Sequence, residues 1–158
     1  MTTNNRLLAA AALATAIAIP AEGLRQYAYK DIANPSLLTV CYGTTGKDVI
    51  AGRKYSLQEC KAFLDRDMLK AVQTVEKCQP GLPENVLAAF SDAVYNLGPS
   101  VACESTAARL LRSGDIQGAC RQLPRWVFAN VAGVNVKLPG LVKRRNAEMA
   151  LCLQGSQS

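Results

Sequence analysis

The spacing of apolar positions predicts five helices after residue 50. In each segment apolar side chains recur every three or four residues, the spacing of one helix face. Ser56 and Glu59 form a capping box at the start of the first helix, and Gly98 stands where the second helix should end. The predicted ranges are 56–76, 84–97, 105–112, 115–122 and 141–153.

Residues 27–46 follow a different pattern, rich in Tyr, Thr, Val and turn-forming residues. Residues 37–42 are typical of a strand, with turns predicted at 33–36 and 43–46, so a small hairpin sheet is expected here. The two patterns together predict an α+β fold. A small N-terminal sheet lobe should lie beside a larger helical lobe, with a ligand-binding cleft between them.

An uncharged apolar run, residues 7–19, precedes these elements. It follows Arg6 and is closed by Pro20 and Ala21, a pattern typical of an export signal. A membrane span needs about 20 apolar residues, so the run is short. It is also weakly apolar, because its five Leu and Ile residues contribute only roughly −2 to −3 kcal/mol to insertion. Such a segment can enter a membrane and later leave it.

Two interpretations of this run compete. In one, a signal peptidase cuts after Ala18 or Ala21. In the other, residues 1–21 stay attached as a tether to a catalytic domain formed by residues 22–158, which is later released into the periplasm. We favour retention, because a cut after Ala21 would leave Glu22 at a frayed terminus, whereas a catalytic carboxylate needs rigid support.

Composition narrows the possible chemistry. The 158 residues include no histidine, which excludes Ser-His-Asp and Cys-His hydrolases and zinc enzymes with histidine ligands. The six cysteines include no C-x-x-C pair, which argues against a zinc knuckle. Their even, dispersed distribution indicates disulfides and an oxidising compartment, with six reduced, buried cysteines as the alternative. If the protein is a hydrolase, carboxylate chemistry remains.

The net charge of +6 favours polyanionic partners such as nucleic acid, an anionic membrane or acidic wall polymers. Basic residues are scattered along the chain, and Lys143-Arg144-Arg145 is the one tight cluster. We interpret this cluster as a solvated helix face, with a binding patch as the alternative. Export and the absence of a concentrated basic stripe argue against nucleic acid.

Three residues near the N-terminus could carry out glycoside hydrolysis, which needs two oxygen-bearing groups flanking one glycosidic bond. Glu22 follows the apolar residues 16–21, where desolvation would favour a protonated carboxyl. Asp31 falls in a wetter turn and should stay ionised, and the Thr39 hydroxyl could hold the attacking water. The pattern alone is weak, because 12 acidic residues offer many such pairs.

Further motifs surround these residues in order along the chain. The first are Glu22-Gly23-Leu24-Arg25, Tyr29-Lys30-Asp31, Thr39-Val40-Cys41-Tyr42-Gly43 and Thr45-Gly46-Lys47-Asp48. The later ones are Tyr55-Ser56-Leu57-Gln58-Glu59-Cys60, Tyr95-Asn96-Leu97-Gly98, Ser105-Thr106, Gly114-Asp115, Ala119-Cys120, Arg125-Trp126, and Gly140-Leu141 through Arg144-Arg145 to Glu148 and Cys152. Through these motifs, over roughly residues 21–153, the chain resembles the phage-type lysozyme family, and most closely its signal-arrest-release endolysins.

The resemblance implies an inverting muramidase that cleaves the N-acetylmuramic acid to N-acetylglucosamine bond of peptidoglycan. It implies Glu22 as general acid, Asp31 as second carboxylate and Thr39 as the water-positioning hydroxyl. It also implies that Tyr95 and Thr106 line the sugar cleft, although a core aromatic and a helix cap are equally good interpretations of these two residues. It implies no metal or organic cofactor, and we expect a monomer.

The resemblance also implies disulfides and a mode of control. The implied pairs are Cys41–Cys60, Cys78–Cys103 and Cys120–Cys152, although sequence alone leaves other pairings open. Residues 7–19 would hold the protein inactive at the host inner membrane and, after release into the periplasm, pack onto the catalytic domain. Two other functions stay open. A lytic transglycosylase would use one glutamate, and a non-catalytic wall-binding or membrane-lesion protein would need none.

Overall fold

Helices form most of the protein, and its strands are gathered in two small sheets. The computed structural model describes residues 2–31 and 35–157. The helices are α1 (Thr3–Glu22), α2 (Leu57–Cys78), α3 (Glu84–Leu97), α4 (Ser100–Cys103), α5 (Thr106–Arg112), α6 (Ile116–Cys120) and α7 (Pro139–Gly155). The strands are β1 (Arg25–Lys30), β2 (Leu38–Cys41), β3 (Thr44–Thr45), β4 (Phe128–Val131) and β5 (Val134–Lys137). The predicted α+β class is confirmed.

The first sheet is antiparallel with the order β1-β2-β3. Tyr29 pairs with Thr39 across β1 and β2, and Thr39 in turn pairs with Thr45 of β3. The predicted strand at 37–42 is confirmed as β2. The predicted turn at 43–46 is wrong in part, because β3 begins at Thr44 and the chain reverses over residues 42 and 43. The turn predicted at 33–36 lies partly outside the described residues.

Helix α3 is the centre of the helical lobe. Its residues 86–94 are all buried, because α1, α2 and α7 surround it. The signals at the helix ends have the predicted effect: Ser56 Oγ accepts a hydrogen bond of 3.0 Å from the Glu59 amide, and α3 ends before Gly98. On α2 the apolar residue Ala62 is exposed, whereas Leu64 is fully buried.

Helix α1 packs against α2 and α3 through small side chains. Its buried residues are Ala10, Ala11, Ala14, Thr15 and Ala18. Near its start Arg6 forms an ion pair with Glu76 and donates a hydrogen bond of 2.7 Å to the Leu82 carbonyl. None of the helices in the described ranges has the length and apolar character needed to cross a bilayer. The division into residues 1–21 and 22–158 stays a prediction, and α1 is continuous across it.

Three disulfides join the elements, and the pairing implied by the resemblance is confirmed. Cys41–Cys60 links the end of β2 to α2, with 4.9 Å between the Cα atoms. The second bridge, Cys78–Cys103, fastens the end of α2 to α4. The third, Cys120–Cys152, fastens α6 to α7. Both lobes are therefore covalently braced.

The hairpin of β4 and β5 was not expected from the sequence. Its strands are only four residues long, and it turns through Ala132 and Gly133, which have φ angles of 51° and 85°. Such turns favour Asn-Gly or Asp-Gly. The Ala-Gly pair therefore gave a weak signal between the two short strands. The four-residue helix α4 was missed as well, since it is too short for a periodic pattern.

Candidate active site

A cleft of about 420 Å³ lies between the first sheet and the helical lobe. It is lined by Glu22, Tyr29, Asp31, Thr39, Gly43, Thr45, Asp67, Tyr95 and Asn96. Four of the five residues predicted to act on or bind a sugar are thus brought together, although they come from the end of α1, the first sheet and α3. The fifth, Thr106, lies elsewhere.

Glu22 is the last residue of α1, and the backbone turns away at Gly23, which has a φ of 71°. Its side chain is 23% exposed, and its Oε1 atom accepts a hydrogen bond of 2.6 Å from Arg144 Nη1. The expected desolvation of this carboxyl by its apolar neighbours stays a prediction, and the sequence did not show its contact with a guanidinium. The helix end directs the carboxyl into the polar cleft, where it meets a guanidinium instead of the preceding alanines.

Arg144 is held from behind by Asp92 of α3. Its Nε donates to Asp92 Oδ2 at 2.9 Å and its Nη2 to Oδ1 at 2.8 Å, which is a two-pronged contact between buried groups. Burial opposes the charge of the guanidinium, but the hydrogen bonds and charges of Asp92 and Glu22 outweigh it and raise the pKa of Arg144 above its usual range. Arg144 is therefore a fixed cation that joins α3 and α7 to the end of α1.

The interpretation of Lys143-Arg144-Arg145 as a solvated helix face is wrong for two of its three residues. Arg144 and Arg145 are 4% and 0% exposed, and only Lys143 faces solvent. The sequence did contain a signal that Arg145 is buried. Arg145, Glu148 and Cys152 follow helical spacing, so a disulfide at Cys152 would turn the same face inward.

Asp31 and Thr39 reach the cleft from neighbouring strands. Asp31 follows β1 directly, and its amide donates a hydrogen bond of 3.3 Å to the Leu37 carbonyl. Thr39 lies on β2 with a buried Oγ1 atom that has no hydrogen-bond partner in the described part of the chain. A buried hydroxyl in this state is costly unless it binds a further polar group.

Tyr95 connects the two lobes beside Glu22. Its hydroxyl donates a hydrogen bond of 2.8 Å to the Tyr42 carbonyl. Burial, together with the negative charges of Glu22 and Asp67, raises the pKa of Tyr95 well above its usual range, so the hydroxyl stays protonated. Gly43 lies beside both groups: a Cβ there would be in ordinary contact, 3.5 Å from Glu22 Oε2 and 3.8 Å from the Tyr95 hydroxyl, and its φ of 94° favours glycine.

Thr106 is the first residue of α5, and Ser105 caps the helix by accepting a hydrogen bond of 3.1 Å from the Ala108 amide. The cap interpretation of Thr106 is therefore wrong. Thr106 lines a separate groove of about 320 Å³ with Gln122, Arg125 and Trp126. Its part in sugar binding stays a prediction.

Sequence reasoning missed four other groups at the site. Asp67 and Asn96 line the cleft, and the Asn96 Oδ1 atom is buried without a hydrogen-bond partner among the described residues. Arg144 and Asp92 lie behind Glu22. Within residues 2–31 and 35–157, no three His, Cys, Asp or Glu side chains are grouped to hold a metal ion. The groups available for chemistry in the cleft are carboxyls, hydroxyls and an amide.

The phage lysozyme family model matches residues 20–148. The chain is 39% identical to the SAR-endolysin of Bacteriophage PS119 over 137 residues, which cover 86% of this chain and 78% of the relative. The protein therefore belongs to the phage lysozyme family. It is an endolysin, a glycoside hydrolase that lyses peptidoglycan.

Two solved structures have the same architecture. The muramidase domain of SpmX from Asticaccaulis excentricus superposes with a TM-score of 0.78 at 25% identity, over 92% of this chain and 95% of that one. The active form of P1 phage endolysin Lyz gives 0.77 at 25% identity, over 90% and 84%. The secreted inactive form of Lyz gives only 0.52 at 27% identity, over 70% and 76%. The lysozyme-like fold is thus confirmed.

Proposed function

We propose that the protein hydrolyses the β-1,4 bond between N-acetylmuramic acid and N-acetylglucosamine with inversion at the anomeric carbon. Glu22 is the general acid, Asp31 the second carboxylate and Thr39 the hydroxyl that holds the attacking water. The proposal rests above all on one observation. Glu22 ends α1, Asp31 follows β1 and Thr39 lies on β2, yet all three side chains line a single cleft.

The two oxygens of Glu22 have different surroundings. Oε1 is bound to Arg144, whereas Oε2 lies toward Gly43 on the cleft wall. Oε2 is therefore the atom that carries the proton and delivers it to the glycosidic oxygen as the bond to the anomeric carbon breaks. The Arg144 guanidinium then stabilises the carboxylate that this transfer leaves behind.

The attacking water is held by Asp31 and Thr39. Thr39 Oγ1 has no hydrogen-bond partner among the described residues, so its hydroxyl is available to a water in the cleft. The water oxygen attacks the anomeric carbon while its proton passes to the Asp31 carboxylate. Return of that proton through solvent to Glu22 completes the cycle. Tyr95 bounds the cleft as a neutral hydroxyl.

Glu22→Gln tests the acid directly. Because Gln cannot deliver a proton, the rate of sacculus hydrolysis should fall by about 10²–10⁴ while binding to purified sacculi persists. Glu104→Gln removes a charge from an exposed position and serves as the matched control with full activity. A Glu22→Gln enzyme that keeps its rate would overturn the assignment.

Analysis of the products separates the remaining alternatives. Hydrolysis with inversion leaves a reducing sugar end whose first-formed anomer is opposite to the substrate linkage, and NMR during turnover detects it. An anhydro-sugar would instead indicate a lytic transglycosylase. Binding or membrane lesions without any cleaved glycan would indicate the non-catalytic alternative. Light scattering should give a mass near 16.9 kDa for the active species, since one chain supplies every cleft residue named above.

We also propose that residues 7–19 tether the protein to the host inner membrane before its release into the periplasm. Two observations support this: the buried residues of α1 are all small, four alanines and a threonine, and the fold is more similar to the active than to the inactive form of Lyz. Because Glu22 ends α1, the cleft is complete only when this helix is packed. The tethered enzyme would therefore be inactive.

Ala12→Leu tests the tether. Ala12 is exposed on α1, so leucine there strengthens membrane insertion without disturbing the packed helix. More of the protein should remain in the membrane fraction after depolarisation, and lysis should be delayed. Glu84→Gln, far along the chain from the tether, controls for expression. Equal partition and equal lysis times in all three proteins would contradict the proposal.

A further inference from the structure

A second buried carboxyl lies behind the Arg144–Asp92 pair. Glu148 of α7 is 0% exposed, and its Oε1 atom accepts a hydrogen bond of 2.6 Å from Arg145 Nη2. Its carboxyl also lies against Asp92 of α3, within hydrogen-bonding reach. The hydrolysis described above uses neither Glu148 nor Arg145.

The geometry favours a proton between the two carboxyls, although Glu148 also has Arg145 as a buried cationic partner. Both oxygens of Asp92 already accept hydrogen bonds from Arg144. The Oε2 atom of Glu148 is buried, and no N–H or O–H group of the described residues donates to it. Two facing carboxylates in a buried site repel each other strongly. If Glu148 Oε2 carries a proton, it becomes the donor and Asp92 the acceptor, and the repulsion becomes a hydrogen bond.

The electrostatic surroundings agree with this arrangement. Burial raises the pKa of Glu148 well above its ordinary value of 4.5, and the contact with Asp92 raises it further, while Arg145 opposes the shift. Asp92 of α3 and Arg145 of α7 are the charged groups of the described residues that act on Glu148. Arg145 directs one N–H to it, and the Nε and Nη1 atoms of Arg145 bind no described acceptor.

We propose that Glu148 is a positioning residue for the hydrolysis: its protonated carboxyl donates a hydrogen bond to Asp92 and thereby fixes the orientation of Arg144 and of Glu22. The chain of contacts runs from Glu148 to Asp92, from Asp92 to both sides of the Arg144 fork, and from Arg144 Nη1 to Glu22 Oε1. This keeps Glu22 Oε2 directed at the cleft. The inference rests on the proposed role of Glu22.

Two substitutions test whether position 148 acts through the hydrogen bond that it donates to Asp92 or through a negative charge. Glu148→Gln keeps a donor for Asp92 and an acceptor for Arg145, so kcat on purified sacculi should stay within about twofold of the wild type. Glu148→Met fills the space but donates nothing, so kcat should fall about tenfold with little change in KM, as expected for a misdirected acid. Val75→Ala, a buried α2 position, controls for lost stability alone and should leave kcat unchanged.

A second measurement needs neither activity nor the methionine variant. A raised pKa means that folded Glu148 holds its proton at pH values where the unfolded chain has released it. The unfolded state then binds fewer protons, so the wild type loses stability as the pH rises above 4.5. Glutamine has no such loss. The Tm advantage of Glu148→Gln over the wild type should therefore increase between about pH 5 and about pH 8.

The results distinguish failure of this inference from failure of the proposed function. Parallel Tm curves for wild type and Glu148→Gln would mean that Glu148 is ionised, and the inference would be wrong. It would be wrong as well if Glu148→Gln were as slow as Glu148→Met. An active Glu22→Gln enzyme would instead refute the proposed acid, while the comparison of Tm curves would still report the proton on Glu148.

Discussion

Helices α1 and α7 meet where Glu22 contacts Arg144, yet they are held in the molecule by different kinds of contact. Helix α1 is held by a seam of small side chains and by Arg6 near its start. Helix α7 is held by the buried polar side chains Arg144, Arg145 and Glu148 and by the disulfide at Cys152. The acid of the proposed reaction lies on the first helix, and its charged partner lies on the second.

This difference indicates which of the two helices can exchange its contacts within the protein for contacts within a membrane. Close packing of small residues is also the way in which helices associate within a bilayer, where lipid and other helices replace one another. A buried ion pair has no such substitute, because a lone charge left in the core is strongly unfavourable. We therefore call α1, which carries Glu22, the replaceable helix, because its contacts can be exchanged for others. We call α7, which carries Arg144, the permanent helix, because its contacts cannot.

The largest expected effect comes from removing the permanent partner. Arg144→Met leaves Asp92 buried without its cation, which should lower the free energy of unfolding by about 3–5 kcal/mol. Urea denaturation measures this loss, and activity should fall as well because Glu22 loses its anchor. Arg53→Met, at an exposed ion pair with Glu59, is the matched control and should cost less than about 1 kcal/mol. Equal losses in the two variants would remove the contrast between the helices.

An intermediate loss of stability is expected from placing a larger side chain among the small buried residues of α1. Ala14 is fully buried on α1, so Ala14→Leu should cost about 1–3 kcal/mol through overpacking. Ala12→Leu adds the same side chain at an exposed position and should change stability by less than about 0.5 kcal/mol. Both variants make the segment equally more apolar. If both lost the same stability, α1 would not be held by the fit of its small residues.

The smallest effect should come from the polar clamp at the start of α1. Arg6→Met removes the ion pair with Glu76 and the hydrogen bond to Leu82. These groups are partly exposed, so the loss should be about 1 kcal/mol. Hydrogen exchange of the α1 amides should increase, while that of α7 should not change. Faster exchange in both helices would mean that they unfold together.

The helices that could be predicted from sequence were those with strong local signals. Helix α3 was expected at its observed bounds because its apolar positions are periodic and Gly98 follows it. The hairpin of β4 and β5 could not be foreseen, since short strands and an Ala-Gly turn give little local pattern. Local propensity therefore accounts for most of the helical lobe and for less of the sheets.

The candidate site was only partly predictable. Glu22, Asp31, Thr39 and Tyr95 were implied by the family resemblance and do line one cleft, whereas spacing alone was too weak to select them. Arg144 was missed because a run of basic residues is usually solvated. Its burial depends on Asp92 and Glu22, which are 52 and 122 positions away. No local pattern reports such contacts.

Gly43 sets a limit for anyone who wishes to engineer this enzyme. Its φ of 94° is a backbone conformation that side chains rarely adopt, so glycine should dominate the active clones of a saturation library at this codon. Diversity aimed at new glycan preferences belongs instead at Thr45 and Asn96, where the wall of the cleft is made of side chains.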